Sequence, residues 1–105
     1  MSSFSTHVLD TALGAPAAGI PVTLATGANV ICSGTTDADG RYRDPLNLAV
    51  GDYQLTFLVA EYFGGTRRES FYSEIVIRFR VAAAGEHYHV PLLLSPFGYS
   101  TYRGS

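Results

Sequence analysis

Strand-like alternation runs through nearly the whole chain and is broken at short intervals by Gly, Pro, Asn or Asp, which leaves few architectures open. Its clearest instance is EIVIRFRV (74–81), where Ile75, Ile77, Phe79 and Val81 fall on one face and Arg78 and Arg80 on the other. FSTHVLD (4–10), IPVTLAT (20–26), NVICSGTT (29–36), GDYQLTFLVA (51–60), EHYHVPLLLS (86–95) and GYSTYR (98–103) read as strands too. Gly27-Ala28 closes a hairpin, and LGAPAAG is a turn. In TDADG (36–40), Asp side chains hold local N–H groups and Gly40 supplies a positive φ. AEYFGGTR breaks the period of two and suits one short helix before Gly64-Gly65. Seven to eight short strands with frequent turns predict an antiparallel β-sandwich. Pro91 cannot donate to a ladder and predicts an edge or bulge in its strand. Leu92-Leu93-Leu94 lacks alternation, so both its faces are expected to be covered, one of them by another subunit.

At 105 residues the chain is expected to form a single domain (1–105) whose own core suffices for folding. All seven basic residues are arginine, and nine acids leave a net charge of −2 without a basic run. That balance fits neither a nucleic-acid partner nor a polybasic membrane patch. No apolar stretch approaches the ~20 residues that span a bilayer, and Met-Ser-Ser-Phe-Ser-Thr lacks the features of a signal peptide. Cys32 is the single cysteine, which excludes an internal disulfide. The expected setting is cytoplasmic.

Chemistry concentrates on a few residues. His87 and His89 lie on the face of their strand opposite Tyr88, Val90, Leu92 and Leu94. His7 shares the non-core face of the first strand with Ser5 and Leu9. Solvated histidines are the plainest reading. A three-histidine zinc site from His7, His87 and His89 is another, although no acidic partner is placed to orient it. Arg41 and Arg43 alternate with Tyr42 after the TDADG turn, as solvated arginines or as a bidentate clamp for an anion or carbonyl. Cys32 lies in an uncharged strand and is expected to pack. Phosphate-loop, dinucleotide-binding and nucleophile-elbow motifs are absent. The strand running on to Tyr102-Arg103-Gly104-Ser105 suggests that these residues are used.

PAAGIPVTL…GTTDADGRYRDPLNLAVGDYQLTF resembles many prealbumin-like Greek-key sandwiches. STHVLD, YFGGTRRESFYSEIVIRF and EHYHVPLLLSPFGYSTYRGS resemble the transthyretin-related 5-hydroxyisourate hydrolases along the whole chain, with the final YRGS as the specific marker. The resemblance implies a cofactor-free and metal-free hydrolase that opens 5-hydroxyisourate to 2-oxo-4-hydroxy-4-carboxy-5-ureidoimidazoline in urate breakdown. It also implies a homotetramer, a dimer of dimers with active sites in a central channel. It places catalytic positions on His7, Arg41 and His89, and substrate-binding positions on Tyr102, Arg103, Gly104 and Ser105. His87 has no counterpart among them and is expected to matter less. Hormone-carrying transthyretins resemble the chain in fold but lack these residues; a non-catalytic binding protein of that kind is the alternative, and a surface-protein repeat would explain only the Pro16–Phe57 pattern.

Overall fold

The computed structural model describes residues 3–105. Its strands are β1 (Ser3–Asp10), β2 (Ala15–Pro16), β3 (Pro21–Thr26), β4 (Asn29–Thr35), β5 (Arg41–Asp44), β6 (Gly51–Phe57), β7 (Ile75–Val81), β8 (His87–Ser95) and β9 (Gly98–Thr101), with one helix, α1 (Val59–Gly65). To the seven segments read as strands the structure adds β5, directly after the TDADG turn, and β2, two residues of the LGAPAAG turn that pair with Leu9 and Asp10.

Two sheets face each other. In one, β2 and β5 pair with the same edge of β1, which is followed by β8 and β9; the other runs β4-β3-β6-β7. Alternate residues of both supply the core. Phe4, Val8, Leu92 and Leu94 meet Leu24, Leu55, Phe57 and Ile75, all buried. Thr6 is buried among them, and its hydroxyl donates to the Val90 carbonyl at 2.6 Å. Cys32 packs half-buried at the edge of this core, and burial pushes its thiol pKa up.

One pairing departs from the antiparallel expectation. β1 runs parallel to β8 from Ser3↔His87 to Asp10↔Leu94. Parallel neighbours need a long crossover, and here everything between the two strands serves as one. No local pattern in either strand announces the partnership.

Pro91 is likewise placed differently from expectation, because β8 is an internal strand with β1 on one side and β9 on the other. Regular β8–β9 pairing stops at Leu92↔Thr101 and returns at His89↔Gly104 in unbroken register. The gap falls where Pro91, opposite Tyr102, has no N–H to give. Thr101 Oγ1 donates to the Pro91 carbonyl at 2.7 Å and carries the chain across it.

The helix also exceeds its predicted bounds. β6 ends at Phe57, and α1 takes in Gly64 and Gly65. Val59 and Phe63, one helical turn apart, are both buried. Their burial outweighs the poor helix propensity of the glycines.

The segment after α1 is fastened by Arg68, whose guanidinium pairs with the buried Asp10 and lies over Tyr62 and Phe63 at 5.8 and 5.1 Å from the ring centroids. Tyr62 Oη donates to the same carboxylate at 2.7 Å. Burial alone would raise the Asp10 pKa, but the hydrogen bonds from Arg68, Tyr62 and the Leu13 N–H hold it below its ordinary value. Its stabilising contribution is therefore present above the ordinary carboxylate range and lost as pH falls through the lower folded pKa. Arg68→Ala strands the carboxylate and should cost about 3 kcal/mol in urea unfolding at pH 7. A loss below ~0.5 kcal/mol, as for an ordinary surface change, would contradict this role.

Candidate active site

The TDADG turn aims one strand at another. Asp37 Oδ1 accepts from the N–H groups of Asp39 and Arg41 at 2.9 and 3.0 Å. The Arg41 contact, then that of Asp39, keeps the Asp37 carboxyl below its ordinary pKa. Gly40 has φ +75°, and a Cβ there would stand 2.4 Å from the Val8 carbonyl oxygen. Only glycine allows this approach; the Val8 N–H donates to the Gly40 carbonyl at 2.7 Å. The turn is thus seated on β1, and β5 leaves it with Arg41 opposite His7 and Arg43 opposite Ser5. Tyr42, between the arginines, points to the other face and packs on Gly34 and Phe4.

Across the other edge of β1, the parallel register sets Ser3 beside His87, Ser5 beside His89 and His7 beside Pro91. Alternation puts Ser3, Ser5, His7, Arg41, Arg43, His87 and His89 on one outer face of the sheet. A cavity of about 370 Å³ there is lined by Ser5, Asp37, Arg41, Arg43, His87 and His89. His7 stands beside that cavity and outside its wall. A larger depression of about 680 Å³ on the opposite sheet has none of the predicted residues, and its Arg80 already pairs with Asp52 at 2.9 Å.

Hydroxyls thread the histidines together. Ser5 Oγ lies 2.8 Å from both His87 Nε2 and His89 Nδ1, and Ser3 Oγ lies 2.6 Å from His87 Nδ1. Both ring nitrogens of His87 and Nδ1 of His89 lie against serine oxygens, and no group of three ligand side chains is assembled among the described residues. His89 Nε2 is left to the cavity. Its pKa lies below the ordinary 6.5: partial burial lowers it, the Ser5 backbone opposes that, and the nearby His87, His7 and Arg41 charges lower it further. A neutral imidazole thus sits beside two guanidinium groups that form no ion pair among the described residues.

The final segment divides by alternation. Gly104 bridges to His89, donating its N–H to the His89 carbonyl at 2.8 Å. A Cβ on Gly104 would come within 2.4 Å of His89 Cδ2 and 3.3 Å of Pro91 Cγ. Tyr102, opposite Pro91, follows Gly104 on that face and is exposed, as is Ser105. Arg103 is turned the other way. Its guanidinium lies 4.5 Å over the Tyr88 ring and pairs with Glu86 at 3.3 Å, so it is not brought to the His89 cavity. The sequence missed Ser5 and gave Arg43 only as the partner of Arg41 in an anion or carbonyl clamp; the alternation that exposed His7 also exposed Ser5, but its neighbours lay hidden in the parallel register.

A family model described as HIUase/Transthyretin family matches residues 4–104. A 5-hydroxyisourate hydrolase 2 of Rhizobium meliloti is 46% identical over 96% of this chain and 94% of its own. The solved 5-hydroxyisourate hydrolase of Klebsiella pneumoniae superposes with a TM-score of 0.93 at 37% identity, over the full length of both chains. Sea bream transthyretin in complex with thyroxine superposes with a TM-score of 0.90 at 26% identity, over 96% of this chain and 93% of that one.

Gly104→Ala should push the His89 ring from its place. Its imidazole resonances should shift while unfolding free energy falls by only ~1 kcal/mol. Unmoved resonances would show that the ring and the final segment are not in contact.

Proposed function

The chain belongs to the HIUase/Transthyretin family, and from that premise we propose that it hydrolyses 5-hydroxyisourate, opening the six-membered ring to 2-oxo-4-hydroxy-4-carboxy-5-ureidoimidazoline. One observation carries the reading: Arg41 and a Ser5-bound His89 line one cavity, with His7 opposite Arg41. A carrier of apolar hormones has no need of these ionisable groups.

Cleaving a cyclic amide requires an activated water, a stabilised oxyanion and a proton for the leaving nitrogen. His89 accepts the proton of the attacking water at Nε2; its lowered pKa keeps it neutral for that task. Arg41 holds the developing oxyanion with fixed N–H donors, and Arg43 adds a second guanidinium to the same cavity. His7, beside Arg41, positions the substrate or passes a proton to the leaving nitrogen. Tyr102, Gly104 and Ser105 border the substrate on the His89 side. Arg103 keeps this segment in place from the far face through Tyr88 and Glu86. These side chains do the chemistry without a cofactor or metal.

The active assembly in this reading is a homotetramer, a dimer of dimers. Exposed Phe71, Phe97 and Tyr99 beside the first sheet support it, as does Leu93 on the outer face of β8. A cytoplasmic setting fits the lone, unpaired Cys32. No helix among the described residues is long and apolar enough to cross a membrane.

The test is an absorbance assay in which urate oxidase supplies fresh 5-hydroxyisourate. The protein should speed its loss far beyond the spontaneous rate, and exhaustive chelation should not change this. His89→Ala and Arg41→Lys should each lose ~10²-fold or more in turnover. No acceleration by the parent protein would overturn the function; parent-like variants would overturn the site.

A further inference from the structure

We propose that Ser5 and His87 form a proton path that discharges His89 to solvent while substrate occupies the cavity, an inference that rests on the hydrolase reading above. The reaction itself poses the need. Hydrolysis of the cyclic amide yields a carboxylate and a ureido nitrogen too weakly basic to keep an extra proton, so each turnover releases one proton. The acid proton lost by the new carboxyl replaces the one given to the leaving nitrogen, and the proton on His89 is the one to be released. His89 accepts a proton at Nε2, the nitrogen facing the cavity, and bound substrate covers that route back to water.

The hydrogen-bond chain offers the other route. A serine hydroxyl has one proton, so Ser5 Oγ, at 2.8 Å from both His87 Nε2 and His89 Nδ1, donates to one ring and accepts from the other. With both rings neutral and His89 Nε2 free to act as base, one arrangement satisfies every contact. His89 Nδ1–H donates to Ser5, Ser5 O–H donates to His87 Nε2, and His87 Nδ1–H donates to Ser3 Oγ at 2.6 Å.

When Nε2 takes the proton of water, the charge moves by successive short transfers. The Nδ1 proton passes to Ser5 Oγ as the Ser5 proton passes to His87 Nε2. His87, now doubly protonated, gives up its Nδ1 proton to water, directly or through Ser3 as the Ser3 hydroxyl passes its own proton on. Each atom keeps its valence, and one proton leaves for each one taken. After product departs, Nε2 faces water again, and proton exchange there with return along the path restores the starting arrangement.

Burial grades the same way along the chain, from half-buried His89 and Ser5 to exposed His87. The rings point their linking nitrogens at one shared hydroxyl because the parallel register sets Ser5 beside His89 and Ser3 beside His87. Two solvated surface histidines would need neither serine. His87, to which the sequence resemblance gave no part, thereby acquires one as a proton relay at the exposed edge of the cavity.

The experiment measures steady-state turnover of fresh 5-hydroxyisourate in dilute buffer that is a poor proton acceptor. His87→Ala should lower kcat about tenfold with KM little changed, and added imidazole should restore turnover with saturation. His87→Gln, which still offers Ser5 an acceptor oxygen but cannot relay a proton, should remain as slow as His87→Ala. Ser5→Ala should be slow and insensitive to imidazole. Parent-like turnover of His87→Ala, full recovery in His87→Gln, or failure of imidazole to restore His87→Ala would each overturn the relay. The parent protein and His89→Ala are run alongside: an active parent with an inactive His89→Ala keeps the hydrolase reading intact whatever the relay variants do.

Discussion

The parallel alignment of β1 with β8 is the constraint from which the rest of the site follows. It joins segments separated by most of the chain, residue against residue from Ser3↔His87 to Asp10↔Leu94. A slip of one residue would turn His89 into the core and Val90 out of it. The buried alternation of Phe4, Thr6 and Val8 with Tyr88, Val90 and Leu92 forbids that slip. Core packing thus fixes the position of groups on the far side of the sheet. The same register brings Ser5 to the two imidazoles, and the other edge of β1 receives Arg41 and Arg43 from β5.

Much of this was legible in local sequence. Period-two alternation put His7, His87 and His89 on outer faces, where the structure has them, because the core demand on each strand is strong. The TDADG turn was legible because Asp and Gly act there on backbone within four residues, and it delivers Arg41 as expected. What depended on distant partners was hidden. Neither strand encodes that β1 and β8 are parallel neighbours, so the role of Ser5 was out of reach. The short helix in AEYFGGTR was legible as a break in the period of two, but its extension over Gly64 and Gly65 rests on the burial of Val59 and Phe63 against the core. Arg103 belonged to the recognised YRGS motif, yet its place in the alternation of the final segment sends it to Tyr88.

The electrostatic character of the site follows from the same placement. Two guanidinium groups that form no ion pair among the described residues border a cavity with Asp37 as its acidic member, and the Asp37 oxygen is committed to backbone N–H groups. Partial burial disfavours a positive charge on His89, and the nearby His87, His7 and Arg41 charges add to that effect. What attracts an electron-rich ring and its oxyanion therefore also helps to keep the neighbouring imidazole unprotonated and free to accept a proton. Gly104, lying against that imidazole, lets the final segment hold the ring without a side chain in the way.

The most direct test of His89 as the base is the pH dependence of kcat/KM, measured beside an NMR titration of each imidazole. Turnover requires an unprotonated Nε2, and the free-enzyme pKa governs kcat/KM. Activity should therefore fall toward acid with a midpoint below 6.5, the ordinary histidine value from which His89 is lowered. That midpoint should coincide with the His89 titration. An acid limb above 6.5, or one that follows His7 while His89 titrates elsewhere, would contradict the account.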